Sequence, residues 1–403
     1  MPTADSRQPT ADSPRCVHAN SQAFGIHCGI ATYAEEITSR LSQYSDMKID
    51  ALYVSVSESE RHSRIPLRRV NFPEHLAFNE RCQMNIDAVR TFASKIIHRL
   101  SGSSESYNDL VDGSSDDVYL FFDNRIPRIK INGKIAVVIH DIKPLRIMGR
   151  NVITNCINKY IVRHNTAAAL AQASAIITVS KYSQQDIAEY FGISPDKIHV
   201  VYNAVDIPFF SRERTSPEKF MHLRSEYGLP EKYILYFGGC VKSKNVARLI
   251  EAYAMLPETL RREYKLVITN PMKYVKKCAQ RCGVSGSVIY LHSVPEDDKP
   301  ALYQMAALFV WPSLFEGFGL PVVEAQASGV PVVCSNASSM PEVAGDAAVL
   351  FDPYDVKSIA SAVERVLTDE GLRDELVAKG YENIERFSWE ESARKLHDII
   401  ISM

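Results

Sequence analysis

The sequence predicts an α/β protein made of two Rossmann-like, doubly wound domains that face a central cleft, and three observations support this fold class. The chain has 403 residues, which is more than one hydrophobic core usually covers. Its apolar share of 46% and charged share of 23% are those of an ordinary globular protein. Short runs of β-branched and aromatic residues alternate with helical patterns along both halves. Two domains built from parallel strands and connecting helices follow from these observations.

The strand pattern is clearest in the second half, where apolar runs alternate with helical segments, one of them after a capping Asp355. These strands are predicted at residues 233–239, 265–270, 287–293, 307–313, 330–335 and 347–352. Repeated strand–helix units imply a parallel sheet with helices on both faces. The first half repeats the theme less regularly, with strands predicted at residues 15–19, 50–55, 117–123, 134–141, 175–180 and 199–204.

The two series of strand–helix units meet near residues 203–210, which sets the domain limits. Residues 1–14 are polar and turn-prone, which predicts a disordered tail. We expect a first domain at residues 15–205 and a second at residues 206–385. The last residues, 386–403, are expected to form a helix that packs back toward the first domain. The polar segment 101–117 is interpreted as an insertion loop, because strand patterns resume on both sides of it.

Composition also argues against several classes of protein. The net charge of −2 predicts no nucleic-acid partner. No apolar run approaches the roughly 20 residues of a membrane-spanning helix, and the start lacks the apolar core of a secretion signal, so we expect a cytoplasmic protein. The eight cysteines contain no CxxC pair and are interpreted as reduced thiols, with a zinc half-site at Cys278 and Cys282 as the less favoured alternative. The acidic groups at 115–117 and 296–298 are interpreted as solvated turns rather than metal ligands.

Doubly wound sheets bind ligands beyond the carboxyl ends of their strands, where the strand order reverses. If the second domain has the strand order 3-2-1-4-5-6, this crevice opens between its first and fourth strands. The loops that leave those strands span residues 238–245 and 312–321. They are therefore the first places to search for a binding site.

The second of these loops has the features of a site for a phosphorylated ligand. Gly317 and Gly319 allow a tight turn and a close approach of the backbone to a ligand. Pro321 suits the first turn of a helix, whose free N–H groups and positive dipole end attract a phosphate. Glu324, about one turn into this helix, can accept both hydroxyl protons of a vicinal diol such as a ribose. Glu316 would face the group beyond the phosphates, so a nucleoside diphosphate that carries a second group satisfies all these features.

The first loop supplies a cation to the same crevice. Lys244 is expected at the start of a helix, where a positive charge opposes the dipole unless an anion binds both. The simpler alternatives remain open from these residues alone. Lys244 is then an exposed lysine, Glu316 a solvated loop residue, and Glu324 a residue on the helix surface.

The chain resembles the retaining glycosyltransferases of family 4, which have the two-domain GT-B fold, over nearly its whole length from about residue 15. The most specific match is the E-x7-E segment that begins at Glu316. The matching segments lie at residues 29–37, 136–145, 173–206, 243–253, 301–355 and 386–393. The resemblance implies that the first domain binds the acceptor and the second binds the nucleotide sugar.

The resemblance also assigns roles to single residues. Glu324 corresponds to the glutamate that holds the donor ribose, Glu316 to the glutamate beside the sugar ring, and Lys244 to the lysine on the diphosphate. His140 corresponds to the histidine near the sugar and the reaction centre, so His140, Glu316 and Lys244 are the expected catalytic residues. The other expected donor-binding residues, which act mainly through their backbone, are Gly29, Gly239, Val294, Gly317, Phe318, Gly319 and Leu320. The alternative for His140 is a core histidine.

One position departs from the family pattern. Many members carry an arginine where this chain has Gly239, and that arginine helps to neutralise the diphosphate. Some relatives, notably mannosyltransferases, also lack it. Whether Lys242 takes its place is left open by the sequence.

The resemblance is greatest to bacterial mannosyltransferases of surface polysaccharide biosynthesis, such as that of O-antigen. It implies transfer of a hexosyl group, with mannose from GDP-mannose as the first choice, to a glycan or lipid-linked glycan acceptor. Configuration is expected to be retained, with no metal and no other cofactor. The alternatives are a UDP-sugar donor, a nucleotide-sugar-binding subunit without transferase activity, and, with less support, an epimerase or a phosphorylase of the same fold.

Two arginine-rich segments, residues 61–70 and 144–164, allow two interpretations. They form either a patch that contacts the inner membrane surface near a lipid-linked acceptor or a solvated basic face. Peripheral contact with the cytoplasmic membrane face is therefore one of the predictions.

Overall fold

The computed structural model describes residues 15–20, 29–54, 68–70, 117–124, 126, 131–147 and 152–403. The predicted tail at 1–14 and nearly all of the predicted insertion at 101–117 lie outside these residues. Within the described part of the chain, no helix combines the length and apolar character needed to cross a bilayer.

The strands of the first half form one parallel sheet. Among the described residues its strands are β1 (Arg15–Asn20), β2 (Met47–Val54), β3 (Arg68–Val70), β4 (Val118–Phe121), β5 (Lys134–Val138), β6 (Ala175–Thr178) and β7 (Ile198–Val200). They lie in the order β3-β2-β1-β4-β5-β6-β7. The described helices of this half are α1 (Gly29–Leu41), α2 (Lys143–Arg146), α3 (Val152–Gln172) and α4 (Lys181–Phe191).

The strands of the second half form a second parallel sheet. They are β8 (Tyr233–Tyr236), β9 (Lys265–Thr269), β10 (Val288–Leu291), β11 (Leu308–Trp311), β12 (Val332–Ser335) and β13 (Val349–Phe351). Their order is β10-β9-β8-β11-β12-β13, which is the predicted order 3-2-1-4-5-6. The prediction of two doubly wound parallel sheets is thereby confirmed.

The helices of the second half connect these strands and end the chain. They are α5 (Ile207–Phe210), α6 (Pro217–Glu226), α7 (Val246–Met255), α8 (Glu258–Glu263), α9 (Lys273–Arg281), α10 (Lys299–Gln304), α11 (Leu320–Ala327), α12 (Met340–Ala344), α13 (Val356–Thr368), α14 (Glu370–Ile384) and α15 (Trp389–Ser402). Asp355 caps α13 as predicted, since its side chain accepts a hydrogen bond from the Lys357 N–H.

Strands β8 and β11 form the centre of the second sheet, and all of their residues are buried. Such continuous apolar runs are typical of parallel strands covered by helices on both faces. Trp311 on β11 stacks on Tyr236 of β8, with ring centroids 5.4 Å apart. This rigid centre fixes the positions of the two loops that leave its carboxyl edge.

The last helix, α15, packs on α1 of the first half. Arg40 of α1 lies 2.9 Å from a carboxylate oxygen of Glu390. Trp389 makes an edge-on contact with Tyr33, with ring centroids 5.9 Å apart. The Ser392 hydroxyl donates to the backbone carbonyl of residue 202 at 2.8 Å. The end of the chain therefore ties the two halves together on one side.

Candidate active site

The two predicted crevice loops lie side by side at the carboxyl edge of the second sheet. The N–H of Leu314, which follows β11, donates to the carbonyl of Ser243, which follows β8, at 2.8 Å. The Ser313 hydroxyl donates to the same carbonyl at 3.1 Å. These bonds hold the two loops in a fixed relation where the strand order reverses.

Lys244 and Glu316 meet across these loops. Lys244 Nζ lies 2.6 Å from Glu316 Oε1, and the two side chains are only 19% and 10% exposed. The same ammonium lies 4.5 Å from the ring centroid of Trp311. Lys244 belongs to a 3-10 turn, and α7 begins two residues later, after Asn245 in the left-handed region at φ 59°. The expected cation therefore lies in the crevice, two residues before the helix begins.

The two glycines of the turn are sterically required. A Cβ on Gly317 would clash with the backbone carbonyl oxygen of His140, and a Cβ on Gly319 would clash with the methyl group of Met340. Gly319 also has φ 107°, which disfavours a side chain. Glycine at these positions allows the loop to approach the first half of the chain and to enter α11.

The first half of the chain binds the backbone of this turn. The Ser180 hydroxyl donates to the Gly317 carbonyl at 2.6 Å, and the Ser183 hydroxyl donates to it at 3.2 Å. Ser183 also donates to the His140 carbonyl at 3.1 Å. The two serines therefore place the Glu316 loop next to the end of β5, where His140 lies.

His140 is held as a neutral imidazole. Burial lowers its pKa from 6.5 to about 4, although a hydrogen bond to the backbone of Phe122 opposes the shift. Its Nε2 is buried and has no hydrogen-bond partner among the described residues. Tyr33 contacts the ring edge-on, with centroids 5.1 Å apart. A neutral ring with one unused nitrogen can bond to a hydroxyl group of a ligand.

Asp141 is an acidic neighbour that the sequence analysis did not single out. Burial raises its pKa above the usual value. Lys143 lowers it through its charge and its N–H, and the charge of Glu316 raises it. The Lys143 N–H donates to Asp141 Oδ1 at 2.8 Å. The position of Asp141 directly after His140, at the end of a predicted strand, is the sequence feature that could have identified it.

Glu324 lies inside α11, where its two carboxylate oxygens have different partners. Lys299 Nζ lies 2.6 Å from Oε1, and the Tyr303 hydroxyl donates to Oε2 at 3.0 Å. Sequence reasoning did not identify either partner. A lysine at a helix start is usually solvated, and a tyrosine in an apolar helix is usually a core residue.

The remaining expected donor-binding residues include Gly29, Gly239 and Val294, which lie on separate elements. Gly29 is the first residue of α1, and the loop before it lies outside the described residues. Gly239 has open space at its Cβ position, and its carbonyl accepts from the Tyr236 hydroxyl at 2.8 Å. Val294 follows β10 and is partly buried against the core.

Phe318 and Leu320 follow the glycine turn. The Phe318 side chain is 3% exposed and packs edge-on against Phe387, with centroids 5.2 Å apart. Its side chain therefore belongs to the core, and only its backbone faces the turn. Leu320 is the first residue of α11. Lys242, which the sequence offered in place of an arginine, is exposed in the same 3-10 turn as Lys244.

Glu342 forms a further contact between the two halves. One of its oxygens accepts from the N–H of Lys181 at 2.8 Å and from the Tyr202 hydroxyl at 2.9 Å. The other accepts from the N–H of Tyr182 at 2.9 Å. A carboxylate of α12 thus occupies the positive end of α4, which is an electrostatically favourable position. Sequence reasoning missed it because the partners are distant in the chain.

In the acidic turn at 296–298, Asp298 bonds to other side chains of the protein. Asp298 accepts from the Tyr227 hydroxyl at 2.7 Å and lies 3.3 Å from Lys219 Nζ. Among the described residues, no group of three His, Cys, Asp or Glu side chains is arranged to hold a metal ion.

Parts of the two arginine-rich segments fold into regular structure. Residues 68–70 form β3, which the sequence analysis did not predict, and residues 61–67 lie outside the described part of the chain. In the other segment, Arg146 lies 2.6 Å from Asp186 and 5.2 Å from the ring centroid of Tyr190. This arginine therefore pairs within the protein.

Two parallel α/β halves, with a crevice at the carboxyl edge of the second sheet, are the arrangement of the two-domain GT-B fold. The family models identify the class of protein. Residues 222–383 match the model described as glycosyl transferases group 1, and residues 118–208 match the model described as glycosyltransferase family 4. Together they match more than half of the chain, which belongs to these glycosyltransferases.

Two curated relatives are named mannosyltransferases, and a solved structure has the same fold. The chain is 33% identical over 274 residues to the serotype-specific mannosyltransferase WbdA of Escherichia coli, a match that covers 66% of this chain and 33% of WbdA. It is 37% identical over 227 residues to O-antigen chain mannosyltransferase B of Escherichia coli, covering 55% of this chain and 59% of that one. The structure of Anabaena HepE in complex with UDP-glucose superimposes with a TM-score of 0.69 at 18% identity, covering 96% of this chain and 100% of that one. This chain therefore spans about a third of the length of WbdA.

Proposed function

We propose that this protein is a retaining, metal-independent glycosyltransferase that moves a mannosyl group from GDP-mannose to a glycan or lipid-linked glycan during the synthesis of a surface polysaccharide. The observation that carries the proposal is the meeting of Lys244 and Glu316 beside the start of α11, within reach of the loop that bears His140. Two halves of the chain contribute to one crevice that carries both a cation and a carboxylate.

The diphosphate of the donor would lie between Lys244 and the first turn of α11. The free N–H groups and dipole of that turn favour a phosphate, and an ammonium has three N–H groups, of which Glu316 uses one. As the bond from the sugar to the phosphate breaks, negative charge grows on the departing diphosphate. Fixed donors at that place are usually the largest contribution to catalysis. In this scheme Lys244 stabilises the leaving group directly.

The sugar would lie between the Glu316 loop and His140. The neutral His140 ring, with its unused Nε2, is suited to a sugar hydroxyl. The acceptor hydroxyl attacks from the face on which the diphosphate departs, and its proton passes to the departing phosphate. No carboxylate then has to act as a covalent nucleophile, and Glu316 supports the developing positive charge on the sugar ring.

The choice of GDP-mannose rests on the relatives, two of which are named mannosyltransferases. A UDP-sugar is the alternative, because the HepE structure contains UDP-glucose. A glycan acceptor follows from the name of the O-antigen relative. Contact of the arginine-rich segments with an anionic membrane surface belongs to the same proposal, as does a cytoplasmic location.

A donor screen tests the proposal. The purified protein is incubated with GDP-mannose, other GDP-sugars and UDP-sugars, together with lipid-linked and free oligosaccharide acceptors, with and without EDTA. We expect transfer from GDP-mannose that is unchanged by EDTA, and a product whose anomeric configuration by NMR is that of the donor. An inverted product contradicts the mechanism, and loss of transfer in EDTA contradicts metal independence. Binding of nucleotide sugars without turnover against any acceptor would favour a subunit without transferase activity.

A further inference from the structure

Helix α10 holds the carboxylate of Glu324 from two sides. Lys299 Nζ lies 2.6 Å from Oε1, and the Tyr303 hydroxyl donates to Oε2 at 3.0 Å. Lys299 and Tyr303 are four residues apart on α10, so they project from the same face of that helix. One short helix therefore fixes both oxygens of a carboxylate that belongs to α11.

The ion pair of Lys299 and Glu324 is largely shielded from water. The two side chains are 12% and 10% exposed. Lys299 Nζ lies 5.5 Å from the ring centroids of both Phe210 and Phe237. Burial of a carboxylate without a counter-charge is costly, because the charge loses its hydration. Lys299 offsets this cost and fixes one oxygen of Glu324, and both oxygens can still accept further hydrogen bonds.

Lys299 remains charged in this setting. Burial lowers its pKa, but the carboxylates of Glu324 and Glu296 outweigh that effect, so the pKa is raised above its usual value. Glu296 Oε1 lies 3.2 Å from Nζ. An ammonium has three N–H groups, so one remains for a ligand oxygen after both carboxylates are bound.

A carboxylate fixed at both oxygens is suited to a vicinal diol. Each oxygen can accept about two hydrogen bonds, so each can bind one hydroxyl group and still keep its protein donor. Because donors on both oxygens prevent rotation of the carboxylate, little orientation entropy is lost when the diol binds. Removal of Lys299 would leave one oxygen of Glu324 without its protein donor and the carboxylate without its counter-charge.

We propose that Lys299 is a positioning residue that orients Glu324 for the pentose of a nucleoside diphosphate and thereby sets a preference for ribose over deoxyribose. This inference rests on the proposed function, because it takes the pentose to lie at Glu324. Lys299 is remote from the expected position of the reacting atoms, so its removal affects nucleotide affinity more than kcat.

Calorimetric titration of the whole protein with GDP and UDP, each beside its 2′-deoxy form, tests this inference. We expect the wild-type protein to bind one ribonucleotide at least about ten-fold more tightly than its deoxy form, the typical contribution of a hydrogen bond to a charged group. Lys299→Met should weaken binding of the ribonucleotide about ten-fold and reduce the preference to about three-fold or less, with little change for the deoxy form. Lys299→Arg keeps the charge and should recover part of the preference.

Lys232→Met is the matched control. Lys232 Nζ also lies 2.6 Å from a carboxylate oxygen, that of Glu263, but the pair is exposed and lies at the amino end of β8, away from the crevice. This variant should keep the wild-type affinities. If Lys299→Met does not fold, as judged by its thermal unfolding, Lys299→Gln takes its place, because it removes the charge but keeps a polar side chain at this position, and it should show the same loss of preference.

The outcomes separate this inference from the proposed function. A folded Lys299→Met protein with the wild-type preference for ribose overturns the inference and leaves the function intact. An equal loss of preference in Lys232→Met also overturns it. If the wild-type protein binds GDP or UDP without preferring the ribose form, the pentose does not lie at Glu324, and this inference is overturned. A wild-type protein that binds neither nucleotide overturns the proposed function itself.

Discussion

The two ends of the segment from Glu316 to Glu324 carry the same kind of ion pair in different surroundings. Glu316 meets Lys244 at 2.6 Å, and Glu324 meets Lys299 at 2.6 Å. The first pair joins two loops at the carboxyl edge of the sheet, and the first half of the chain binds the adjacent turn at Gly317. The second pair joins two helices of the second half.

The two ends therefore depend on different parts of the chain. The Glu316 end requires both halves of the chain to be in contact, whereas the Glu324 end is complete within the second half. We therefore expect substitutions at the Glu316 end to lower kcat and substitutions at the Glu324 end to weaken nucleotide binding.

The largest effect is expected from Lys244→Ala. It removes the cation assigned to the departing diphosphate and leaves Glu316 without its counter-charge. Loss of one such fixed donor typically lowers kcat about 10²- to 10³-fold. Steady-state kinetics with the donor found in the screen measure the change, and Lys276→Ala, an exposed lysine on α9, is the control. A kcat near the wild-type value would show that Lys244 does not act on the leaving group.

His140→Ala is expected to have the next largest effect. It removes the neutral ring nitrogen assigned to a sugar hydroxyl at the Glu316 end, but it touches nothing at the Glu324 end. We expect kcat to fall about 10- to 100-fold, the value of one or two hydrogen bonds, with almost unchanged nucleotide affinity by calorimetry. An equal loss of turnover and of nucleotide affinity would show that His140 has only a structural role.

Glu342→Gln weakens the contact that Glu342 makes between the two halves. The loss of a charged acceptor for the Lys181 and Tyr182 N–H groups and the Tyr202 hydroxyl should cost roughly 1–3 kcal/mol of unfolding free energy. Denaturant unfolding measures it, with Glu382→Gln at an exposed position as the control. If the Glu316 end depends on contact between the two halves, kcat should fall more than nucleotide affinity. A fall in nucleotide affinity alone would contradict it.

The smallest effect concerns stability against pH. The pKa of His140 is about 4 in the folded protein, below its usual value of 6.5, because of burial. Between these values the unfolded chain binds the proton and the folded protein does not, so the free energy of unfolding falls as the pH is lowered from 6.5 to 4. His140→Gln should lose less stability than the wild type over this range. Parallel curves for the two proteins would show that His140 titrates normally.

The strand order and the crevice loops could be predicted from the sequence, because strand–helix alternation and glycine spacing are local signals. The meeting of Lys244 with Glu316 agrees with the expected crevice, although the roles of both residues remain predictions. Strand β3 was missed because its three residues, Arg68–Val70, are mostly polar and too few to show a pattern.

The partners of the expected site residues could not be predicted in the same way. Lys299 and Glu324 are 25 positions apart, and Glu342 and Tyr182 are 160 apart. No local pattern marks such pairs, since their contact depends on how helices of different units pack. A lysine beside an acidic turn is typical of a solvated surface, which is why Lys299 was overlooked.

A crystal structure of the protein soaked with the nucleotide diphosphate that it binds is the most direct test of the site. We expect both pentose hydroxyl groups within about 3.2 Å of the Glu324 carboxylate and Lys244 Nζ at a similar distance from a phosphate oxygen. A pentose bound away from Glu324, or a Lys244 side chain turned from the diphosphate, would contradict this expectation.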